Sequence, residues 1–251
     1  MINNDHNDLV PPDINGKNLT VLSQPIKGSY AARNMGIEYA KSDILAFTDA
    51  DCIPDKDWLL NALNAMADGR QRIAGQIKLF FKSSNLTIAE KYENRYAFPQ
   101  DKYAQVGFGA TANMITYKIY FTRYGNFRGE LLSSGDYEWG MRLKNNNIHI
   151  SYEPDVVVDH PARSTIRELL DKDRRRVGGY VQLADAKFSI NECIKLLRSL
   201  IPPLFIFKDS SFCDELSFGD SLRLFFLHWL LSADSSLYRI CLLVGLCKLR
   251  R

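Results

Sequence analysis

The chain has 251 residues, of which 46% are apolar and 24% charged, a composition typical of globular proteins and not of disordered or fibrous ones. The 32 basic and 29 acidic residues leave a net charge of +3, and no basic tract interleaves with aromatic residues, so nucleic acid is not an expected partner. This length suits one large α/β domain with a helical appendage better than two equal domains.

Hydrophobic patterning predicts alternating strands and helices along the chain. The predicted strands cover residues 19–23, 44–48, 73–81 and 148–152. The predicted helices cover residues 29–42, 57–67 and 136–144. After His160 the chain is helical and basic, and the last 40 residues form apolar-rich helices. Such alternation is typical of a parallel sheet with crossover helices, in which ligands bind beyond the carboxyl ends of the strands.

The cysteines and the lengths of the apolar runs indicate the cellular compartment in which the protein is expected. The five cysteines are scattered and form no Cys-x-x-Cys pair, a pattern that fits neither a disulfide framework nor a zinc site. The first residues lack the charged-then-apolar pattern of a signal peptide, and no apolar run reaches the roughly 18 residues of a membrane span. We therefore expect a cytoplasmic protein.

Two aspartates, Asp49 and Asp51, directly follow the predicted strand 44–48. Carboxylates at positions i and i+2 on a chain leaving a strand can share one divalent cation, and their oxygens suit magnesium or manganese. The alternative is a solvated turn in which an aspartate caps the next helix. Asp-x-Asp is a weak motif when it stands alone.

Further motifs surround these aspartates. The segments 28–40 and 44–54, followed by Trp58-Leu59, resemble the central block of the family 2 glycosyltransferases, which have the GT-A fold. The resemblance covers residues 1–185 and implies a GT-A-like mixed sheet flanked by helices, with residues 186–251 as a helical tail. The family's order of motifs continues downstream through residues 107–114, 125–127, 134–143 and 156–163.

The resemblance implies a nucleotide-sugar donor, with a divalent cation, Mg or Mn, held by Asp49 and Asp51 against its diphosphate. A bound cation offsets the negative charge that develops on the diphosphate as the sugar bond breaks. Gly28, Arg33 and Asn34 match the donor-binding segment at the start of the preceding helix, where a helix N-terminus and a guanidinium favour an anion. The alternatives are a simple chain turn at Gly28 and an ion pair with a surface acid for Arg33.

Asp136 stands where the family keeps its catalytic carboxylate, in a Gly-Asp-x-Glu variant of the Glu-Asp-x-Asp pattern. A carboxylate there can take the proton of the attacking sugar hydroxyl. Because Gly135 replaces the usual acid, both Asp136 and Glu138 remain catalytic candidates. The alternative is that Asp136 caps the following helix and that Glu138 interacts with its dipole. His160 resembles a further metal ligand of some GT-A enzymes, although Asp159 could instead hold it as a charge partner.

The implied function is inverting transfer of a sugar from a nucleotide-sugar to a hydroxyl of a glycan or lipid-linked acceptor, as in cell-surface polysaccharide biosynthesis. The C-terminal segments 222–231 and 240–246 combine large apolar groups with basic neighbours, so we expect peripheral contact with the inner face of the cell membrane. The alternative is that these helices pack against the domain or a partner. An aspartate-nucleophile phosphatase is disfavoured because Ile53, which lacks a hydroxyl, follows Asp51 by two positions.

One segment that family members have is not found in this sequence. Family members begin with a strand-helix-strand unit that holds the nucleotide base, and this sequence starts near the acidic turn after that unit, at Asn3-Asn4-Asp5. We therefore expect an open sheet edge, poor nucleotide-sugar binding and low activity from residues 1–251 alone. The alternative function is that of a truncated, inactive remnant that only binds a partner.

Overall fold

The computed structural model describes residues 2–3, 20–184, 194, 196, 198–201 and 217–249. The chain divides into two compact units. The sheet unit is formed by Met1–Phe80 and Phe98–Pro161. The helical unit is formed by Phe81–Ala97 and Ala162–Arg250.

The sheet unit contains a five-stranded mixed sheet and a separate pair of short parallel strands. In chain order the strands are β1 (Ile2–Asn3), β2 (Leu22–Ser23), β3 (Ile44–Thr48), β4 (Ile53–Pro54), β5 (Arg72–Phe80), β6 (Asn113–Tyr117) and β7 (Ser151–Pro161). The order in the large sheet is β3-β6-β5-β7-β4. Only β5 and β7 run parallel there, whereas β6 is antiparallel to both of its neighbours and β4 is antiparallel to β7. The parallel sheet predicted from the alternation of strands and helices is therefore wrong, because β6 and β4 enter the sheet in the opposite direction.

The described helices belong to both units. In chain order they are α1 (Ser29–Tyr39), α2 (Trp58–Ala67), α3 (Ile88–Tyr96), α4 (Gln100–Val106), α5 (Ile119–Tyr124), α6 (Gly135–Lys144), α7 (Ile166–Leu183) and α8 (Phe218–Leu243). Helices α3, α7 and α8 form the helical unit, and the others flank the sheet.

The main core of the sheet unit lies between α2 and the sheet. Trp58, Ala62 and Met66 recur at a spacing of four residues, so they share one face of α2 and are all buried. They pack against buried side chains of β5, β6 and β7: Ile73, Ile115, Val156 and Val158. The indole N–H of Trp58 donates to Asn113 Oδ1 at 2.9 Å, which satisfies the polar atom of this buried ring.

The helical unit is organised around a buried carboxylate. Glu93 of α3 is 1% exposed and accepts hydrogen bonds from Arg163, at 2.9 Å from its backbone N–H, and from Lys172 Nζ at 2.7 Å. Thr87 and Thr165 begin α3 and α7 with capping boxes, in which each threonine and a glutamate three residues later satisfy exposed backbone N–H groups reciprocally. Apolar contacts complete this core: Ala89, Leu169, Leu227 and Leu231.

The prediction of a mixed sheet flanked by helices, with a helix towards the C-terminus, is confirmed. Strand 44–48 is β3, and helix 57–67 is α2 to within one residue. The predicted strand 148–152 is too short, because β7 continues to Pro161 by pairing with both β5 and β4. The predicted helix 29–42 is too long, because the backbone is already extended at Ala40.

The C-terminal part also differs in detail from expectation. The segments 222–231 and 240–246 belong largely to one helix, α8, instead of two. The expected domain boundary at residue 185 falls outside the described residues and stays a prediction. Helix α7, which precedes that boundary, groups with α3 and α8. Within the described residues, no helix combines the length and the apolar character needed to cross a membrane.

Candidate functional site

Asp49 and Asp51 lie in the turn at the carboxyl end of β3. The turn is closed by a hydrogen bond from the Cys52 N–H to the Asp49 carbonyl at 3.1 Å. The chain then enters β4, where Ile53 pairs with Asp159 of β7, so the turn is drawn towards the end of β7. One ligand atom from each of four side chains lies within 4.8 Å of the others: Asp49, Asp51, Cys52 and His160. The structure thus brings together the three predicted metal ligands, and we call these four residues the acidic cluster.

The imidazole of His160 is held in one orientation. The side chain is 5% exposed, and its ring lies 4.6 Å from the ring of Phe98, measured between centroids. Its Nδ1 lies 2.8 Å from the carbonyl oxygen of Pro161. Because a carbonyl oxygen only accepts hydrogen bonds, this contact places a proton on Nδ1, and Nε2 is then the ring nitrogen that could bind a metal. Metal-binding histidines commonly donate their other ring N–H to a backbone carbonyl in this way.

The donor set of the acidic cluster fits a hard divalent cation. Burial raises the pKa of the Cys52 thiol to about 11, which disfavours the thiolate form that binds metals. Cys52 also packs against the core around Trp58. Two carboxylates and one imidazole nitrogen remain, a set that suits magnesium or manganese better than a thiophilic metal.

Arg33 projects from α1 onto the acidic cluster. Its Nη2 donates to Asp49 Oδ1 at 2.6 Å, and its side chain is 15% exposed. The alternative that Arg33 pairs with an acid is therefore realised, but the acid belongs to the cluster. Gly28 immediately precedes α1 with a φ of 135°, a conformation that residues with a side chain rarely adopt. The backbone conformation at the start of α1 thus explains why residue 28 is a glycine.

Asn34 makes a two-point contact with the backbone of Phe127. The side-chain amide donates to the Phe127 carbonyl at 2.8 Å and accepts from the Phe127 N–H at 3.1 Å. This pair of hydrogen bonds fastens the segment before α6 to α1, which favours a structural role. Donor binding by Gly28 and Asn34 remains a prediction.

Asp136 is the second residue of α6, which begins at Gly135 with Ser134 as its N-cap. Its Oδ1 accepts from the Tyr137 N–H at 2.9 Å and from the Tyr30 hydroxyl at 3.1 Å. Burial raises the pKa of the Asp136 carboxyl above its ordinary value, although the charge of Arg33 and these hydrogen bonds oppose that rise. A raised pKa makes a carboxylate a stronger base, as general-base catalysis requires.

Glu138 has a different environment. Its carboxylate forms a two-point ion pair with Arg142, at 2.8 Å from Nε and 3.0 Å from Nη2. Arg142 in turn donates to three successive carbonyls of the segment before α6: Tyr124, Gly125 and Asn126. Glu138 therefore holds the arginine that secures this segment. The two catalytic candidates thus differ: Glu138 is engaged in an ion pair, whereas Asp136 accepts hydrogen bonds and has a raised pKa.

The sequence interpretation did not include Tyr30 in the site. Tyr30 and Arg33 are three positions apart in α1, so they lie on the same face of the helix. Arg33 contacts Asp49 and Tyr30 contacts Asp136, and one helix face thereby reaches both predicted acidic sites. The helical spacing from Arg33 is the signal that could have identified Tyr30.

This chain is similar in sequence to known glycosyltransferases. The model for "Glycosyl transferase family 2" matches residues 6–129. The glycosyltransferase AglE of Haloferax volcanii is 31% identical over 169 residues, covering 66% of this chain and 55% of that protein. A pre-mycofactocin glycosyltransferase of Mycobacterium tuberculosis is 24% identical over 175 residues, covering 66% of this chain and 37% of that protein. This chain thus spans about half or less of the length of these relatives.

Two solved structures are similar to this chain. One is the mannosyltransferase PcManGT from Pyrobaculum calidifontis in complex with GDP-Man and Mn2+, with a TM-score of 0.48, 14% identity, and coverage of 92% of this chain and 59% of that chain. The other is S. aureus TarS 1-349 in complex with UDP-GlcNAc, with a TM-score of 0.45, 16% identity, and coverage of 91% of this chain and 76% of that chain.

The family match includes α1, β3 and both aspartates of the acidic cluster. The relatives named above are glycosyltransferases, which does not favour the alternative of an inactive binding protein. The sequence match over residues 6–129 and the Asp-x-Asp motif directly after β3 together support the assignment of this chain to glycosyl transferase family 2.

Proposed function

We propose that this protein transfers a sugar from a nucleotide-sugar donor to a hydroxyl group of a glycan or lipid-linked acceptor, with inversion at the anomeric carbon and with the help of a divalent cation. The observation that carries the proposal is the convergence of Asp49, Asp51 and His160, whose ligand atoms lie within 4.8 Å of one another in a member of this family.

The acidic cluster would hold the cation, Mg2+ or Mn2+, through the carboxylates of Asp49 and Asp51 and the Nε2 of His160. When bound, the cation offsets the charge that develops on the diphosphate leaving group. Arg33 already lies against Asp49 at 2.6 Å and adds a second positive group for the diphosphate oxygens. The donor would thus be bound at the carboxyl end of β3.

Asp136 would act as the general base. The acceptor hydroxyl oxygen forms a bond to the anomeric carbon, the bond from that carbon to the diphosphate breaks, and the diphosphate leaves with the electron pair. The hydroxyl proton passes to the Asp136 carboxylate. Attack from the face opposite the leaving group in one displacement inverts the anomeric configuration. The raised pKa of Asp136 supports this assignment, as does the ion pair that occupies Glu138.

Peripheral contact with a membrane is part of the same proposal, since a lipid-linked acceptor lies at a membrane surface. Exposed apolar side chains of α8 support it: Phe226, Leu230 and Leu237. Helix α8 also carries the exposed Arg223, a positive group that anionic lipid head groups would attract.

Nucleotide binding tests the donor site directly. Titration calorimetry with UDP and with GDP, each with and without Mn2+, should show binding of one of them that depends on the metal. Asp51→Ala should abolish the metal-dependent binding without unfolding the protein. Asp155→Ala is the matched control, because Asp155 is an exposed acid of β7 outside the acidic cluster. Metal-dependent binding that survives Asp51→Ala would contradict the proposed site.

Transfer and its stereochemistry require a second measurement. A labelled nucleotide-sugar, incubated with Mn2+ and with glycan or lipid-linked acceptors, should give a labelled product, and proton NMR should report the inverted anomeric configuration. A product with retained configuration would exclude the single displacement.

A further inference from the structure

The ring of Tyr30 occupies the space in front of Gly135. A Cβ placed on Gly135 would lie 2.8 Å from Cε2 of that ring and 2.9 Å from Cδ2 and Cζ. Carbon atoms without a bond between them do not approach so closely, so any side chain at position 135 would displace the tyrosine. The glycine before Asp136 is therefore coupled to the presence of Tyr30.

The tyrosine itself has a defined position. Its side chain is 5% exposed, its ring centroid lies 5.6 Å from that of Phe127, and the guanidinium carbon of Arg33 lies 5.4 Å from its centroid. Burial raises the pKa of the Tyr30 hydroxyl well above its ordinary value, so the group remains protonated at neutral pH. Tyr30 is thus a hydrogen-bond donor at a fixed place.

The two oxygens of Asp136 are not equivalent. Oδ1 accepts from the Tyr30 hydroxyl at 3.1 Å and from the Tyr137 N–H at 2.9 Å. Oδ2 has a longer contact, 3.4 Å, from the Thr111 N–H. Donors withdraw charge from the oxygen that they contact, so Oδ2 keeps the larger share of the basicity.

We propose that Tyr30 is a positioning residue that, with Gly135, orients the Asp136 carboxylate so that Oδ2 takes the proton of the acceptor hydroxyl. This inference rests on the proposed function of Asp136 as the general base. Beyond that function, the inference names Tyr30 as the residue that determines which oxygen of Asp136 is reactive. It also explains why position 135 is a glycine.

Tyr30→Phe tests the inference, because it keeps the ring and removes only the hydroxyl. The variant lacks one hydrogen bond to the charged form of Asp136, so the pKa of Asp136 should rise. NMR of protein with isotopically labelled carboxyl groups measures this pKa. In the transfer assay kcat should fall by about 10-fold or more, because loss of the fixed orientation of the carboxylate outweighs the gain in basicity from its higher pKa. The KM for the donor should not change. Tyr39→Phe, an exposed tyrosine at the end of the same helix, is the control and should leave both measurements unaltered.

The close contact between Gly135 and the ring of Tyr30 is tested separately. Gly135→Ala should lower kcat and the urea midpoint of unfolding. Tyr30→Ala also destabilises the protein, but the double variant should lose less stability than the sum of the two single variants, because the clash is absent from it. Strictly additive losses would overturn the coupling between the two residues.

The readouts separate this inference from the proposed function. If Tyr30→Phe leaves both the pKa of Asp136 and kcat unaltered, the positioning role is overturned. If Asp136→Asn keeps full transfer activity while the pKa still responds to Tyr30→Phe, the contact exists but Asp136 is not the base, and both the base assignment and the catalytic part of this inference fail.

Discussion

Arg33 donates to Asp49 at 2.6 Å, and the same carboxylate belongs to the acidic cluster that includes His160. Both side chains are largely shielded from solvent, at 15% and 33% exposure, so this ion pair is screened less than one on the open surface. A cation bound to the cluster and the guanidinium of Arg33 would therefore compete for one carboxylate. A diphosphate would instead benefit from both positive groups.

This competition predicts two opposite effects of Arg33→Gln. Binding of Mn2+ alone should become about 5-fold tighter, because a nearby positive charge is removed. Binding of a nucleoside diphosphate in the presence of Mn2+ should become about 10-fold weaker, because a charge-assisted hydrogen bond is lost. Calorimetry measures both, with Arg123→Gln as the control at an exposed arginine of α5. Changes of the same sign in the two titrations would argue against a shared site.

His160→Gln tests the nitrogen ligand. Loss of the imidazole should weaken Mn2+ binding by about 10- to 100-fold, comparable to the effects that mutations around metal sites typically have. The exposed His149 offers the matched control, His149→Gln, which should bind Mn2+ as the wild type does. Since His160 is buried, thermal unfolding should be measured alongside. Equal Mn2+ affinity in a folded His160→Gln protein would remove His160 from the metal site.

Asp136→Asn tests the general base. The amide has nearly the same size but does not accept the proton, so transfer should fall by at least about 100-fold with donor binding nearly unchanged. Glu138→Gln is the comparison variant. Because Glu138 is paired with Arg142, this substitution should reduce activity less than Asp136→Asn does. If Glu138→Gln abolishes turnover and Asp136→Asn does not, the two roles are reversed.

The buried Glu93 of the helical unit predicts a dependence of stability on pH. Burial by itself raises the pKa of Glu93, but Lys172 and Arg163 lower it, and the net shift is below the ordinary value. A carboxylate whose pKa is lowered by folding stabilises the protein above its unfolded-state pKa of about 4.3. This stabilisation is lost as the pH falls through the lower folded-state value.

We therefore expect Glu93→Gln to reduce the free energy of unfolding near neutral pH by about 3 kcal/mol, the lower end of the cost of breaking a buried pair, because both cations are partly exposed. The variant should also lose less further stability than the wild type as the solution is acidified. Urea unfolding measures both effects. Glu130→Gln removes an exposed ion pair and should cost less than about 1 kcal/mol. Equal losses in the two variants would show that burial of Glu93 is not the cause.

Local pattern was sufficient to predict several parts of the fold and the position of the two aspartates of the acidic cluster. The apolar run before Asp49 defines β3, and the apolar spacing that begins at Trp58 defines α2, because each depends on which residues must leave water along a short stretch. For the same reason the aspartates could be assigned to the end of a strand. The motif order indicated the family, and the match to residues 6–129 confirms it.

Sequence patterning did not predict the elements between residues 81 and 134. Helices α3, α4 and α5 and strand β6 all lie there. Residues of β6 are buried from Asn113 to Thr116, so the strand shows no alternation of apolar and polar residues that would reveal it. Its insertion between β3 and β5, antiparallel to both, makes the sheet mixed.

Only the tertiary structure decided which distant residues meet. His160 joins Asp51 because β4 pairs with the end of β7, and Tyr30 reaches Asp136 across 106 positions of sequence. Periodicity specifies which face of an element is buried, since that depends on the element's own residues. The partner of each face depends on the pairing of strands and the packing of helices, to which residues throughout the unit contribute, and those contacts are what assemble the candidate site.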